Sequence, residues 1–210
     1  MKTVVIYLGG LGPELAPEIE GEVSATIAAD SGLHLADKHG VEVNLIVGDM
    51  DSVDAALLNK YESSGSHVAR FDHEKDETDF ELALMAAGNY VADHLLVIGG
   101  GGNRLDHLIA NFAVASGPLT KNWDVTMITK NETVHVVRPG SPSLIFGQVG
   151  SPIAIVPFGG SATLSSQGVK WELNESTLGA HTARGISNEF SKSEAKFESH
   201  SGAILAIVPN

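Results

Sequence analysis

The stretch from residue 45 to residue 63, LIVGDMDSVDAALLNKYES, joins a short apolar run, an acidic turn and an amphipathic segment. Leu45–Val47 is apolar throughout, which is typical of a strand buried on both faces of a parallel sheet. Val53, Leu57 and Tyr61 recur at helical spacing and predict a helix over Val53–Ser63. A strand followed directly by a helix is the repeating unit of α/β folds.

The same alternation continues on both sides of this stretch, as far as about residue 130. Further strands are predicted at Val4–Leu8, Thr26–Ala29, His67–Phe71, His94–Ile98 and Val125–Thr129. Two further helices are predicted, one from a capping box at Thr78–Glu81 with Phe80, Leu84, Ala87 and Val91 buried, and one over Arg104–Ala115 with Leu105, Leu108, Phe112 and Ala115 buried. The pattern favours an N-terminal α/β domain, Rossmann-like, with a mostly parallel sheet.

The pattern changes after about Val134, where helical periodicity stops. Proline and glycine then separate short apolar segments such as Ile153–Val156 and Ala203–Val208. Short strands between turn residues are typical of an all-β domain, either a sandwich or a barrel. We therefore expect two domains, residues 1–132 and residues 133–210, of which the second is all-β.

Composition excludes several classes of function. The 210 residues include no cysteine, which excludes disulfides, thiolate metal sites and cysteine nucleophiles, and we expect a cytoplasmic protein. No apolar run is long enough to span a membrane. The formal net charge of −13 argues against a nucleic-acid partner, because nucleic acid requires a basic surface.

Acidic residues follow several of the predicted strands. In open α/β sheets, ligands bind outside the carboxyl ends of the strands, so these side chains are expected to meet there. Crowded carboxylates repel one another, and a divalent cation is their natural partner. Helix capping by Asp51 or Ser52, and a first-turn position for Asp79, is the alternative explanation for single acids. The acids are Asp30, Asp49, Asp51, Asp72, Asp76, Asp79 and Asp106.

A glycine-rich turn, Gly99–Gly102, separates a predicted strand from the helix that begins at Arg104. Backbone N–H groups at such a turn can bind phosphate, although an ordinary tight turn explains the glycines equally well. Arg104, His107 and Asn111 share one polar stripe. A cation at a helix start opposes the helix dipole, which indicates another role for Arg104, such as a phosphate contact.

Taken together, these residues resemble the motifs of the thiamine pyrophosphokinase family. Three ordered stretches carry the resemblance, namely Gly48-Asp49-Met50-Asp51-Ser52, Asp76-Glu77-Thr78-Asp79-Phe80-Glu81, and Gly101-Gly102-Asn103-Arg104-Leu105-Asp106-His107 with Asn111. Ala29-Asp30-Ser31-Gly32, Gly168–Leu173, Ser187-Asn188 and Gly202–Leu205 are also similar to the family. Ser31 and Asn103 stand where the family usually has glycine.

The resemblance implies an ATP- and Mg²⁺-dependent homodimer with active sites at the subunit interface. The α/β domain would bind ATP and Mg²⁺, and the second domain would be a β-sandwich that contributes to the thiamine site. The implied metal ligands are Asp49, Asp51 and Asp79, and the implied nucleotide-binding residues are Asp30, Gly101, Gly102, Arg104 and Asn111. The implied catalytic residues are Asp106, Arg104 and Asp79, and the implied thiamine contacts are Ser187, Asn188 and a stacking aromatic, Phe190 ahead of Trp171.

The implied reaction is attack of the thiamine hydroxyl on the β-phosphorus of ATP, with AMP leaving. Asp106 and Asp79 are both candidates for accepting the hydroxyl proton. Two alternatives stay open. One is a metal-dependent pyrophosphotransferase or hydrolase that acts on another small substrate. The other is a non-enzymatic module that binds thiamine diphosphate or a nucleotide.

Overall fold

The computed structural model describes residues 1–102 and 104–210, which form two compact units of a mixed α/β protein. The first unit comprises Met1–Trp123 and Met127–Asn131, and the second comprises Asp124–Thr126 and Glu132–Asn210. In the described chain, every helix belongs to the first unit. None of these helices is long and apolar enough to cross a membrane.

The first unit contains a parallel sheet in the strand order β5-β1-β2-β3-β4. The centre of this sheet is apolar, and its side chains Val4, Ile6, Ile27 and Val97 are fully buried. Parallel strands with both faces covered require such continuous apolar runs, and the predicted burial is confirmed for β1, β2, β3 and β5, whereas the edge strand β4 is exposed or half-buried. The strands are β1 (Lys2–Leu8), β2 (Glu22–Ala29), β3 (Leu45–Gly48), β4 (His67–Arg70) and β5 (His94–Gly99), and β6 (Asp124–Ile128) follows them in the chain.

Among the described residues, four α-helices connect or follow these strands. They are α1 (Gly32–Lys38), α2 (Ala55–Ser63), α3 (Asp79–Ala87) and α4 (Leu105–Ser116), and a single 3₁₀ turn at Pro118–Thr120 comes after α4. Helix α1 was not predicted from the sequence. Its N-cap, Ser31, makes no side-chain capping hydrogen bond, so the usual start signal is missing.

Helix α2 begins two residues later than predicted. Asp54 is its N-cap, and the Asp54 carboxylate accepts hydrogen bonds from the backbone N–H groups of Ala56 (2.8 Å) and Leu57 (3.1 Å). The expectation that Asp51 or Ser52 caps this helix is therefore wrong, because Asp54 satisfies the free N–H groups of the first turn. Asp51 is consequently available for another role.

The predicted capping box of α3 is confirmed. The Thr78 hydroxyl accepts from the Glu81 backbone N–H (3.3 Å), and the Glu81 carboxylate accepts from the Thr78 backbone N–H (2.9 Å). The helix ends at Ala87, so Val91 lies beyond it and is 76% exposed rather than buried. This reciprocal cap fixes the residue where α3 starts, and that residue is Asp79.

The stripe predicted to be buried on α4 is only partly buried. Ala115 is fully buried, and Leu108 and Phe112 are partly covered. Leu105, in contrast, is 66% exposed, because the first turn of the helix lies at the mouth of a cleft described below. The helical period was therefore correct, but burial starts one turn later than the apolar pattern indicated.

The second unit is all-β in its described residues, with the antiparallel order β10-β9-β12-β7. Strands β9 and β12 each have 16 residues, so the short predicted segments Ile153–Val156 and Ala203–Val208 are parts of longer strands. Pro157 lies within β9 and faces Ile204 in the register, although proline usually ends a strand. The strands are β7 (Glu132–Val137), β8 (Ser143–Phe146), β9 (Pro152–Gln167), β10 (Ser176–Leu178), β11 (Asn188–Glu189) and β12 (Glu194–Pro209).

Two tyrosines in the first unit, Tyr7 and Tyr61, should ionise at a higher pH than an exposed tyrosine does. Burial raises the pKa of Tyr7 and of Tyr61 from 10.0 to about 12. The folded state thus favours the neutral phenols, and this stabilisation is complete below about pH 10 and is lost as the pH rises towards 12. In a tyrosinate absorbance titration of the native protein, two of the three tyrosines should ionise only near pH 12. Ionisation of all three together, as in the unfolded chain, would contradict the prediction, and Tyr7→Phe should remove one late step.

Candidate active site

A cleft of roughly 920 Å³ lies at the carboxyl ends of the parallel strands. Each of the strands β1, β2, β3 and β5 contributes the residues that directly follow it, and the segment after β4 and the first turns of α4 complete the walls. This is the edge where open α/β sheets bind ligands. Of the candidate residues of the first unit, the cleft is lined by Asp30, Asp49, Asp51, Asp79, Gly101, Gly102, Arg104, Asp106 and Asn111.

Three carboxylates meet inside this cleft, and we call Asp30, Asp49 and Asp79 the acid cluster. One oxygen of each lies within 4.8 Å of an oxygen of the others. Asp30 follows β2, Asp49 follows β3, and Asp79 is the first residue of α3. Asp30 has a φ of 43°, a left-handed conformation that only a few non-glycine residues adopt and that often marks a functional position.

Gly48 allows the acid cluster to close up. Its φ is +143°, and a Cβ at this position would lie 3.1 Å from Asp30 Cβ and 3.3 Å from Asp79 Oδ1. These distances are shorter than ordinary van der Waals contacts. The glycine before Asp49 therefore has a steric role between the two neighbouring carboxylates.

The acid cluster is electrostatically costly without a cation. Burial, together with the carboxylates of Asp79, Asp49 and Asp51, raises the pKa of Asp30 above its ordinary value, although the Ser31 backbone N–H opposes this. Asp30 is 8% exposed, and its Oδ1 has no hydrogen-bond partner among the described residues. A buried, partnerless carboxylate oxygen costs free energy, which indicates that an additional ligand belongs there.

Two basic side chains from the segment between β4 and α3 contact the acid cluster, and sequence analysis did not identify either of them. His73 Nδ1 lies 2.8 Å from Asp49 Oδ2 and 3.8 Å from Asp51. This contact lowers the pKa of Asp49 and raises the pKa of His73. Lys75 Nζ lies 3.1 Å from Asp79 Oδ1 and 3.9 Å from Asp49 Oδ2. The sequence did hold one signal for Lys75. It is the single basic residue in the acidic run Glu74–Asp79, and it stands four residues before Asp79.

The acid cluster fits a magnesium ion. Mg²⁺ requires oxygen ligands and usually takes one or two carboxylates, with water and substrate phosphate completing the shell. Asp30 Oδ1 and Asp79 Oδ1 are both buried and make no hydrogen bond within the described residues. Asp51 stands apart from them, in a second group with Asp49 and His73, and its side chain is 57% exposed.

The glycine-rich turn is tied to its surroundings by backbone hydrogen bonds. Leu11 N donates to Gly101 O (2.7 Å), and Gly101 N donates to Leu11 O (3.2 Å). Asn111 Nδ2 lies 3.4 Å from Gly100 O, which connects the turn to α4. Gly100 and Gly102 have φ values of +73° and +126°, so the turn requires glycine at both positions. Asn103 lies outside the described residues.

Arg104 and Asp106 form a bidentate pair at the mouth of the cleft. Arg104 Nε donates to Asp106 Oδ1 (2.9 Å), and Nη2 donates to Asp106 Oδ2 (2.7 Å). The guanidinium holds the pKa of Asp106 well below its ordinary value, and the carboxylate raises the pKa of Arg104. In this arrangement Asp106 is a weak base, and both side chains are more than half exposed.

The candidate thiamine contacts belong to the second unit. Asn188 is buried, and its amide accepts from Trp171 N (3.1 Å) and donates to Trp171 O (3.0 Å), so it holds the backbone of Trp171. Phe190 is 1% exposed and packs in the core of this unit, whereas Trp171 is 54% exposed, with Lys170 Nζ 4.6 Å from its ring centre. Of these two rings, Trp171 is the exposed one and Phe190 is buried, so Trp171 is the ring that a ligand could reach. Ser187 is exposed and has a φ of 61°.

Comparison with known proteins connects both units to one family. The model of the thiamin pyrophosphokinase catalytic domain matches residues 18–127, and that of the thiamin pyrophosphokinase vitamin B1 binding domain matches residues 145–204. The chain belongs to the thiamine pyrophosphokinase family. The resemblance inferred from the sequence motifs is thereby confirmed.

Individual members of the thiamine pyrophosphokinase family match the chain over nearly its whole length. A thiamine pyrophosphokinase of Bacillus subtilis (strain 168) is 26% identical over 211 residues, which cover 99% of this chain and 98% of the relative. The crystal structure of thiamine pyrophosphokinase from Bacillus subtilis superposes with a TM-score of 0.83 at 24% identity and covers 99% of both chains. A thiamin pyrophosphokinase family protein from Enterococcus faecalis gives 0.80 at 20% identity, covering 100% of this chain and 99% of the other. The mixed α/β fold is thus that of the family's solved structures.

Replacing Gly48 with alanine should loosen the acid cluster. The new methyl group would press on Asp30 and Asp79 from a strained backbone, so we expect the free energy of unfolding to fall by about 1–3 kcal/mol. Chemical denaturation measures this difference. Gly179→Ala is the control, because a Cβ there meets nothing within 4 Å. Equal stability of both variants would show that the closeness of Gly48 to the two carboxylates is immaterial.

Proposed function

We propose that this protein transfers the pyrophosphoryl group of ATP to the hydroxyl of thiamine, giving thiamine diphosphate and AMP. Membership of the thiamine pyrophosphokinase family supports this reaction. The single structural observation that carries it is the acid cluster, which lies in the same cleft as the glycine-rich turn and Arg104. Phosphoryl-type transfer depends mainly on positioning and on charge stabilisation, and a cleft with these groups can supply both.

ATP is proposed to occupy the cleft of the first unit. Gly101 and Gly102 lie between β5 and α4, and because the Gly101 N–H already donates to Leu11 O, the Gly102 N–H is the proposed donor to a phosphate oxygen. Arg104 uses Nε and Nη2 for its contact with Asp106, so its Nη1 can donate to a phosphate oxygen while Asp106 stays bound. Asn111, whose amide already holds Gly100 O, would keep the turn in position.

Mg²⁺ is proposed as the metal, held by Asp49 and Asp79 with Asp30 beside them and Asp51 at the rim. When bound, the cation would supply positive charge to the phosphate oxygens of the nucleotide. The buried oxygens of Asp30 and Asp79 support this assignment, because they make no hydrogen bond within the described residues. Asp51 offers a carboxylate oxygen within 4.8 Å of ligand atoms of Asp49 and His73.

Asp79 and Asp106 are the two carboxylates proposed to accept the proton of the thiamine hydroxyl. Both carboxylates were candidates from the sequence. Asp106 accepts two hydrogen bonds from Arg104, which lower its pKa and make it a poor proton acceptor. Asp79, at the start of α3, lies inside the cleft, but it also faces a cation, the Lys75 ammonium 3.1 Å from its Oδ1, so both carboxylates stay candidates.

Thiamine is proposed to bind to the second unit, where the vitamin B1 binding model matches. We assign residues 1–132 as a Rossmann-like ATP- and Mg²⁺-binding domain and residues 133–210 as a β-sandwich thiamine-binding domain. Trp171 would stack on the pyrimidine ring, Ser187 would hydrogen-bond to it, and Asn188 would position Trp171. A homodimer and a cytoplasmic location complete the proposal, and the native mass in solution is the measurement for the former.

The decisive assay is formation of AMP and thiamine diphosphate from ATP, Mg²⁺ and thiamine. We expect both products in equal amounts and their loss in EDTA. Asp79→Asn should lower kcat by about 10²–10³, a typical cost of removing one charge-stabilising group. Asp54→Asn is the matched control, because asparagine caps a helix as well as aspartate does.

The outcomes of this assay separate the alternatives. AMP formed without thiamine, or with another alcohol in its place, would indicate a related transferase or hydrolase. Binding of nucleotide or thiamine diphosphate by folded protein without any turnover would indicate a binding module. Either result would overturn the proposed reaction.

Trp171→Ala should raise KM for thiamine by about tenfold, because aromatic stacking contributes roughly 0.5–1.5 kcal/mol beyond the area buried. KM for ATP should stay unchanged, since Trp171 lies in the second unit. Steady-state kinetics with each substrate varied in turn measures both constants. Trp171→Phe keeps an aromatic ring and should restore most of the thiamine affinity. An unchanged KM for thiamine in the alanine variant would exclude stacking by Trp171.

A further inference from the structure

Lys75 is unusually buried for an ion-paired lysine. Its side chain is 14% exposed, whereas the other lysines that form ion pairs in the described chain remain 46–65% exposed. Covering an ammonium group is costly unless nearby charges compensate for the lost water. The compensating charges are Asp79, at 3.1 Å from Nζ, and Asp49, at 3.9 Å.

The contact between Lys75 and Asp79 is an ion pair without the angles of a hydrogen bond. Lys75 Nζ is 3.1 Å from Asp79 Oδ1, yet this oxygen has no hydrogen-bond partner among the described residues. The attraction is therefore mainly that of two opposite charges. Such a contact is lost at little cost when a stronger cation takes over the carboxylate.

A divalent cation and the Lys75 ammonium require the same oxygens. Mg²⁺ binds carboxylate oxygens at about 2.0–2.1 Å, and the ion together with its water shell would need the space beside Asp79 Oδ1 that Nζ now faces. Even if the ammonium moved only a few ångströms, it would still repel a divalent ion in the partly buried cleft. The two cations thus exclude each other at Asp79.

We propose that Lys75 is the internal counter-ion of the metal-free enzyme and competes with the divalent cation for Asp49 and Asp79. This inference rests on the metal site of the proposed function. Lys75 offsets the repulsion between the carboxylates while no metal is bound, and it lowers their affinity for a free cation. Metal binding in the absence of nucleotide is weakened as a result, so the cation is held chiefly together with ATP.

The test is the affinity of the nucleotide-free protein for Mn²⁺, measured by calorimetry or by the electron spin resonance signal of the free ion. Lys75→Met keeps the length of the side chain and removes its charge, and we expect it to bind Mn²⁺ about tenfold more tightly than the unmodified protein. Lys38→Met is the matched control. It also removes one charge from an ion pair, here with the exposed Glu14, and it should leave Mn²⁺ affinity unchanged.

Thermal unfolding supplies a second measurement. Without metal, Lys75→Met should unfold at a lower temperature than the unmodified protein, because the carboxylates lose their counter-ion. Saturating Mn²⁺ should then raise the Tm of Lys75→Met by more than it raises that of the unmodified protein. A variant that had merely lost packing would show a lower Tm but no gain in Mn²⁺ affinity.

The outcomes distinguish the inference from the proposed function. Equal or weaker Mn²⁺ binding by Lys75→Met would overturn the competition, while binding by both proteins would leave the metal site standing. Absence of Mn²⁺ binding in both proteins, with and without ATP, would overturn the metal site and the inference with it.

If Lys75→Met does not fold, nuclear magnetic resonance of the unmodified protein with isotope-labelled lysine replaces the binding measurement. The Lys75 ammonium signal, assigned with Lys75→Arg, should move on saturation with Mg²⁺, and an unmoved signal would overturn the proposal.

Discussion

The carboxylates of Asp30, Asp49 and Asp79 repel one another, and the first unit has to hold them together against this repulsion. Their oxygens lie within 4.8 Å of one another, in a partly buried cleft where like charges interact strongly. Such an arrangement persists only if the surrounding structure holds it. Burial of the strands that precede Asp30 and Asp49 does so, and the capping box of α3 fixes Asp79 from the other side.

The parallel sheet explains how residues distant in sequence reach this position. Strands β1, β2, β3 and β5 run in one direction, so the residues that follow them emerge at one edge. The backbone N–H and C=O groups of these strands are hydrogen-bonded within the sheet, and the segments that follow the strands provide the side chains of the site. Gly48 and the glycine-rich turn then allow backbone and carboxylates to approach more closely than residues with a Cβ would permit.

The sequence predicted this architecture well where local signals act alone. Apolar runs identified the five parallel strands, and the Thr78–Glu81 pattern identified the start of α3 to the residue. It failed where the signal depends on three-dimensional surroundings. Helix α1 has no capping side chain, and Pro157 did not interrupt β9, because pairing along β12 maintains the long strand on either side of it. Propensities describe single segments, and tertiary pairing overrides them.

The acids of the site were predictable, but their partners were not. Strand ends and family motifs both point to Asp49 and Asp79, whereas nothing in the local pattern distinguishes Lys75 from a surface lysine. Only the fold shows that its ammonium turns inward and reaches two carboxylates. On the proposal that this cluster binds a divalent cation reversibly, its charges need partial compensation when the cation is absent, because their repulsion would destabilise the fold. On the same proposal, Lys75 together with His73 offsets part of the repulsion and still leaves a net negative charge that would attract the metal.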